Sequence, residues 1–490
     1  MEYYLGIDIG TSTAKFTVIN EDGIVVNCCE QEYQYSQPKP GWKEIWPKVW
    51  VESVKKGMKE ILSSNKREYI KAIGFSGQMH TTVFLDKQGN CIRPAIMWND
   101  VRTKEYFPNL KTILTQKDTE SIARIISAGS PAANLLWLKD YENENFKKLG
   151  KFMIGHDYLV YYFTGQYSTD YCQASTSSLY DTKGREWSKS MGRLIGLSEE
   201  MYPPIKGSQE IAGRLRAEIQ KEFCLSSEVK VIAGTGDNPA TAVSAGCLQE
   251  GYPVLSIGTS GVLVLPGEKV RADSKGKEIL FSIDGRHLMH LTQGVVQSAG
   301  GSYGWYVKKI LGINNFNEII TDINISDLGK NRLLFYPHIN GDKTIYADSS
   351  IRGAFIGLDI NDSKEDLAVA VMEGVCFAIK QLIQEMDLSF EKLDQLMVTG
   401  GGANSKVWMQ MLADILNIRI AQLAYNEGAS YGVAVLARNA LHQDDSTINN
   451  GVKQIKPRNY FEPRTYNVEL YLNKYEKYLR IHDAVKMIYQ

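Results

Sequence analysis

Gly6-Ile7-Asp8-Ile9-Gly10-Thr11-Ser12-Thr13 places one acid inside an otherwise apolar strand and follows it with a glycine turn carrying three hydroxyl residues. Residues 3–9 read as the strand, Lys15–Asn20 as the returning strand, and Glu21-Asp22-Gly23 as a second turn. Glycine lets backbone approach a ligand closely, and successive N–H groups in such a turn form a concavity for anions. A carboxylate at its edge suits Mg²⁺, which takes one or two carboxylates together with phosphate oxygens. An ordinary hairpin with an Asp in it is the competing reading of this segment alone.

Working outward, helical spacing of Trp50, Val54, Met58, Ile61 and Leu62 predicts a helix between Pro47 and Asn65, and Ile70–Phe75 reads as the next strand. Strand, helix, strand in that order indicates an α/β domain. Pro253–Ile257, Gly258-Thr259-Ser260-Gly261 and Val262–Leu265 then repeat the opening layout of strand, Gly/Thr/Ser turn and strand. The repeat implies two α/β halves with a boundary near 247–251, giving domains 1–246 and 247–490. No Pro-, Gly- or Ser-rich linker separates them, so they are expected to pack across a cleft. In the second half, Ser363–Met386, capped by Asp362 or Ser363, and Lys406–Leu416 read as helices. The aromatic-rich tail Tyr460–Tyr475 reads as a packed helix.

The chain has 490 residues, 55 Lys+Arg against 56 Asp+Glu, 43% hydrophobic and 23% charged residues. That length calls for two or three domains, and a net charge of −1 gives no bulk attraction to nucleic acid or an anionic membrane. No apolar run reaches the roughly 18 residues of a membrane span, and no signal-peptide pattern precedes the first strand. Seven cysteines without a C-x-x-C spacing fit a reducing cytoplasm better than a disulfide framework or a zinc site.

Further motifs carry possible chemistry. Glu228–Ala233 reads as a strand ending in Gly234-Thr235-Gly236-Asp237-Asn238, where a carboxylate could accept the proton of an attacking hydroxyl, or simply cap a turn. Gly400-Gly401-Gly402-Ala403-Asn404-Ser405 joins the strand Leu396–Val398 to a helix; its bare backbone could face a flat ring, and Asn404 could cap the helix or bond a ligand. Gln78-Met79-His80 follows the strand Ala72–Phe75 and a turn at Ser76-Gly77, at the strand end where open α/β sheets place ligands. A lone His there also fits a purely structural role. His287 and His290 are three apart with no cysteine or acidic cluster nearby and are assigned no metal. There is no P-loop G-x-x-x-x-G-K-[ST] and no G-x-G-x-x-G after a strand.

Read together, these motifs resemble the FGGY family of carbohydrate kinases over nearly the whole chain. In the family's order stand Gly6 to Ser12, Pro40-Gly41-Trp42-Lys43-Glu44, Gly77-Gln78-Met79-His80, Trp98-Asn99-Asp100-Val101-Arg102, Gly236-Asp237-Asn238, Gly258-Thr259-Ser260, Ser298 to Ser302, Arg352-Gly353-Ala354-Phe355 and Gly400 to Ser405. The resemblance implies two ribonuclease H-like domains of the actin and sugar-kinase superfamily, with ATP and sugar in the cleft. It implies that Asp237 is the catalytic base and that Asp8 and Asp237 hold Mg²⁺. Gly10, Thr11, Ser12, Thr13 and Lys15, with Gly258, Thr259 and Ser260, would line the phosphate path. Gly300, Gly400, Gly401 and Asn404 would border the adenosine, and Gln78, Met79, His80 and Asn238 would touch the sugar. A homodimer is common in such a family, although no interface signal stands in the sequence.

Two segments depart from the pattern of the members that act on xylulose. Gly341-Asp342-Lys343-Thr344-Ile345 replaces Gly-Glu-Arg-Thr-Pro, and Pro239-Ala240-Thr241 replaces a run of small residues after Asp237-Asn238. Neither removes a proposed catalytic group. The neutral Gln-Met-His sequence suits an uncharged polyol, so D-xylulose is the expected acceptor, ahead of ribulose, gluconate or glycerol; Lys343 would favour gluconate if it faced the sugar. An actin- or chaperone-like nucleotide switch would have no use for a sugar pocket. A silent sugar sensor would be expected to lack Asp8 or Asp237.

Overall fold

The run Tyr3–Ile9 forms strand β1, buried throughout except for the half-buried Asp8. Burial on both faces is what an interior strand of an α/β sheet requires. In a computed structural model of the chain, which describes all residues except 1, 64–66, 107–121, 123–125, 249, 272–273, 387–392, 394, 424–427, 443–456 and 490, β1 lies at the centre of its sheet. It pairs antiparallel with β2, Thr13–Asn20, setting Asp8 opposite Lys15, and β2 pairs antiparallel with β3, Val25–Glu32. On its other side it runs parallel to β4, Ile70–Gly77, which sets Asp8 opposite Ser76. Antiparallel to one another, β5 (Ile211–Arg214) and β6 (Lys230–Ile232) extend the sheet beyond β4, and the short β7, Thr235–Gly236, lies alongside the last residues of β4.

Several boundaries differ from the sequence reading. β4 continues through Ser76 and Gly77 instead of turning there, because both residues are paired on two sides, to Asp8 and Ile9 and to Thr235 and Gly236. The expected strand 228–233 is shorter, Lys230–Ile232, and the chain turns at Gly234, whose φ is 76°, before the two residues of β7. The predicted first helix runs Pro47–Ile61, with Trp50, Val54, Met58 and Ile61 buried; Asn65 lies outside the described residues. Tyr460 is in the strand Asn459–Phe461, and the tail helix begins at Thr465, after Pro463. Gln249, inside the expected boundary 247–251, also lies outside the described residues.

The chain divides into two compact units. The first comprises Met1–Ser244, Glu278–His290 and Glu427–Gly451; the second comprises Ala245–Lys277, Leu291–Asn426 and Val452–Gln490. The helix Ala429–Asn439 thus packs with the first unit. A Cβ on Gly6 of β1 would lie 1.9 Å from the Ser430 carbonyl oxygen, so only glycine lets helix and strand come this close. The Thr17 and Ser430 hydroxyls share a hydrogen bond of 2.7 Å at the same contact. The core of this unit joins Leu5, Ile7, Phe16, Trp50, Ile73 and Phe75.

In the second unit, β8, Val254–Ile257, pairs antiparallel with β9, Gly261–Gly267, and parallel with β10, Gln395–Thr399. β10 runs parallel to β11, Arg419–Gln422, which pairs antiparallel with β12, Asn459–Phe461. The path β9-β8-β10-β11 repeats the order and sense of β2-β1-β4-β6: one antiparallel step, then two parallel ones. The duplication inferred from two Gly/Thr/Ser turns is therefore a duplication of sheet topology, giving two α/β units of the ribonuclease H-like kind. Helix Lys364–Glu385, buried from Ala368 to Ile383, fills the second core. Ser363, one of the two expected caps, starts it: its hydroxyl accepts from the Asp366 N–H at 3.1 Å and the Asp366 carboxylate accepts from the Ser363 N–H at 2.9 Å.

Candidate active site

Asp8 owes its position to the register of β1. From the neighbouring β4, the Ser76 hydroxyl donates to Asp8 Oδ1 at 2.7 Å, while Lys15 faces Asp8 across β2. Beyond the strand, Gly10 N–H donates to the Thr13 carbonyl at 3.0 Å and closes the turn. The Gly10 carbonyl accepts from the Tyr33 hydroxyl and from Gln78 Nε2, the latter at 3.0 Å. Thr11 Oγ1 accepts from the Trp98 indole N–H at 3.2 Å; Ser12 and Lys15 are exposed, and Thr13 is half-buried.

Asp237 begins the helix Asp237–Ser244, directly after β7. Its Oδ1 accepts from the Asn238 N–H at 2.9 Å, and its carbonyl accepts from the Thr241 hydroxyl at 2.8 Å. Burial, and then the neighbouring negative charge of Asp8, push the Asp237 carboxyl up to about 7. Burial likewise raises Asp8, against the Ser76 hydrogen bond and the Lys15 charge, which pull it down. Both carboxyls are partly accessible, and the Asp8 charge opposes ionisation of Asp237; a hard divalent cation that takes oxygen ligands, such as Mg²⁺, fits such a site.

The Gln-Met-His segment lies beside them. Gln78 and Met79 are buried; Gln78 Oε1 accepts from the Thr81 hydroxyl at 3.0 Å, and Asn238 Nδ2 lies 3.6 Å from Met79 Sδ. His80 has a positive φ of 69°, and its Nδ1 lies 3.1 Å from the Thr176 carbonyl. The first unit therefore gathers Asp8, Gly10, Gln78, Met79, Asp237 and Asn238 from residues up to 230 positions apart in the chain.

The second unit gathers the other predicted residues around the β8–β9 turn. Gly258 N–H donates to the Ser260 carbonyl at 3.0 Å. The Gly258 and Thr259 carbonyls accept from the N–H groups of Gly300 and Gly301 at 2.9 and 2.8 Å. Gly400 has φ of 90°, and a Cβ there would lie 2.7 Å from the Ile257 carbonyl oxygen, so this position needs glycine on both counts. A Cβ at Gly401 would meet open space. Asn404 ends the short helical turn Gly401–Asn404; the cap of the helix Lys406–Leu416 is Ser405, whose Oγ accepts from the Trp408 N–H at 3.2 Å, so Asn404 is not that cap.

Sequence reasoning missed a fully buried layer behind Asp237. His156, Asp157 and Asp170 have side-chain ligand atoms within 4.8 Å of one another, among the described residues the one such group of three. Burial holds His156 down to about 4 and pushes Asp170 up to about 6, while burial and the Asp170 charge raise Asp157 well above its ordinary value. Their sequence signals were those of helix starts: Asp157 opens one helix, and Asp170 caps Tyr171–Thr176. His287 and His290 lie elsewhere, 2.6 Å from Asp284 and 3.6 Å from Glu278 respectively. All seven cysteines are free, and among the described residues no helix is long and apolar enough to cross a membrane.

The model of the FGGY family of carbohydrate kinases, N-terminal domain, matches residues 3–244, and that of the C-terminal domain matches residues 254–441. A xylulose kinase of Staphylococcus xylosus is 34% identical over 438 residues, 89% of this chain and 90% of that protein. Among solved structures, a xyloylose kinase from Brucella ovis superposes with TM-score 0.89 at 29% identity, covering 99% of this chain and 100% of that one. A gluconate kinase from Lactobacillus acidophilus shares the fold with TM-score 0.88 at 22% identity, covering 100% and 99%. Two family models that together span both halves, and the relative matched over nine-tenths of its length, lead to one conclusion: this chain belongs to the FGGY family of carbohydrate kinases.

Proposed function

We propose that this carbohydrate kinase transfers the γ-phosphoryl group of ATP to the 5-hydroxyl of D-xylulose, with Asp237 as general base. The choice of sugar is supported by the xylulose kinase of Staphylococcus xylosus, 34% identical over 89% of the chain. The choice of base rests on one observation: Asp237, pushed up to about 7, stands beside both Asp8 and the Asn238–Met79 pair. A base is most effective when its pKa lies near the working pH, because a large share of the molecules then carry it ionised while it is still basic enough to draw a proton.

On this reading, a carboxylate oxygen of Asp237 accepts the proton of the sugar hydroxyl as that oxygen bonds to the γ-phosphorus. The bond from the γ-phosphorus to the bridging oxygen breaks, and ADP leaves. Mg²⁺ held near Asp8 and Asp237 would offset charge on the transferring group. Gln78, Met79, His80 and Asn238 contact the sugar, with Gln78 fixed by the Gly10 carbonyl and the Thr81 hydroxyl and the His80 ring by the Thr176 carbonyl. Backbone N–H groups of the Gly10–Thr13 turn, with Lys15, offer positive potential to phosphate. In the second unit, Gly258, Thr259 and Ser260 serve the phosphates, and Gly300, Gly400, Gly401 and Asn404 the adenosine. The free cysteines favour the cytoplasm as the working compartment.

Incubation with Mg-ATP and D-xylulose, followed by NMR of the product, tests the proposal. A phosphate ester at C5 is expected. Turnover only with ribulose, gluconate or glycerol would move the acceptor, and absence of any sugar ester would overturn the assignment.

A further inference from the structure

Asp170 is fully buried, belongs to none of the motifs of a phosphate or sugar site, and yet makes three short contacts. Its Oδ2 accepts from the Thr235 hydroxyl at 2.6 Å and from the Cys172 N–H at 3.1 Å, and its Oδ1 accepts from the Gln173 N–H at 3.1 Å. The two N–H bonds cap the helix Tyr171–Thr176, whose last carbonyl, that of Thr176, lies 3.1 Å from His80 Nδ1. The hydroxyl bond holds β7 two residues before Asp237. Thr235 is also paired in the sheet with Ser76, the residue that donates to Asp8. One carboxylate thus braces the backbone that carries Asp237 and the helix that orients His80.

We propose that Asp170 is a positioning residue for phosphoryl transfer, fixing Asp237 through Thr235 and His80 through the helix Tyr171–Thr176. This inference rests on the reading of Asp237 as the base. Charge-assisted hydrogen bonds are about twice as strong as neutral ones, and in a buried site they define a single geometry. Displacement of a reacting group by about 1 Å can lower a rate by about 100-fold. The two arms of the brace make different predictions. Loss of the Thr235 bond loosens Asp237 alone, because the cap of Tyr171–Thr176 keeps both of its N–H donors. Loss of the Asp170 carboxylate loosens both.

The test uses the full-length enzyme with Mg-ATP and its sugar. Thr235→Val removes the hydroxyl at nearly constant shape, Thr235→Ser restores it, and Asp170→Asn weakens both arms. Rates are normalised to the folded fraction measured by thermal melting. The expected result is a fall in kcat of about 10-fold or more for Thr235→Val with KM for the sugar changed less than about 3-fold, near-complete recovery in Thr235→Ser, and in Asp170→Asn a lower kcat together with a raised KM. A purely structural role would lower the melting temperature and folded fraction while leaving kcat per folded molecule and KM in place, and that result would overturn the proposal. A fall in Thr235→Val that Thr235→Ser does not repair would overturn it as well. Asp237→Asn, run in parallel, separates this idea from the one beneath it: an active Asp237→Asn removes the base, whereas an inactive Asp237→Asn beside a normal Thr235→Val removes only the brace.

Discussion

Burial, reinforced by the charge of Asp8, holds Asp237 far from an ordinary carboxylate, and this shapes both activity and stability. Replacing it with Asn should lower kcat by about 100-fold to 10,000-fold with little change in KM for the sugar, as measured by steady-state ADP release. The same change should raise the melting temperature of the metal-free protein. A carboxyl raised to about 7 in the fold, from the 3.8 of an unperturbed aspartate, disfavours the folded state once ionised, so its removal stabilises the protein most above pH 7 and least below about pH 4. The matching kinetic sign follows: log kcat/KM should fall with unit slope as pH drops below about 7, because the base is then protonated in the free enzyme. A flat profile from pH 5 to 8 would contradict it. Asp8, Gly10, Asp237 and Asn238 could be picked out from the sequence because each stands in a short motif with its own chemistry. Asp170 could not, since Thr169-Asp170 ahead of a short helix reads as a cap, and Asp170 is one; Thr235 lies within the Asp237 motif, but its bond to Asp170, 65 residues away, is not visible in any local window.

At the scale of elements, the readable parts were those whose local pattern agrees with their tertiary role. β1 and β2 lie where apolar runs separated by a glycine turn place them, and Lys406–Leu416 has the predicted ends. The capping box of Ser363 and Asp366 was visible as a Ser three residues before an acid. Ser363→Ala should destabilise the protein by about 1 kcal/mol, measured by chemical denaturation. The helix Asp237–Ser244 was hidden because Asp237-Asn238-Pro239 is turn-like in composition, although Pro is well accommodated in the first turn of a helix, where no intrahelical partner for its N–H is lost. Extension of β4 by Ser76 and Gly77 depends on pairing with β7, about 160 residues away, which no local window contains. Gly6→Ala is expected to be among the more damaging single changes. Its Cβ would meet backbone of the helix Ala429–Asn439, which cannot rotate away, and overpacking of this kind costs about 1–3 kcal/mol or more.

At the scale of the whole molecule, a repeated Gly-Thr-Ser turn was enough to infer duplication, and the shared order and sense of four strands in each unit give it physical content. What the repeat could not convey is that residues 427–451 return to the first unit. A fragment of residues 1–246 lacks the helix that covers Gly6 and Gly74, and it should unfold without a cooperative transition; fusing residues 427–451 to it should restore one, as followed by circular dichroism on heating. The choice of sugar lies at this scale as well, because the same fold supports kinases named for xylulose and for gluconate. The most direct test of the central claim is the rate of ADP release with Mg-ATP against D-xylulose, L-xylulose, D- and L-ribulose, D-gluconate and glycerol, with Asp237→Ala alongside. Sugar-dependent turnover that is selective for D-xylulose and collapses in the variant is the predicted result. Turnover that persists in Asp237→Ala, or ADP release that no sugar stimulates, would contradict it.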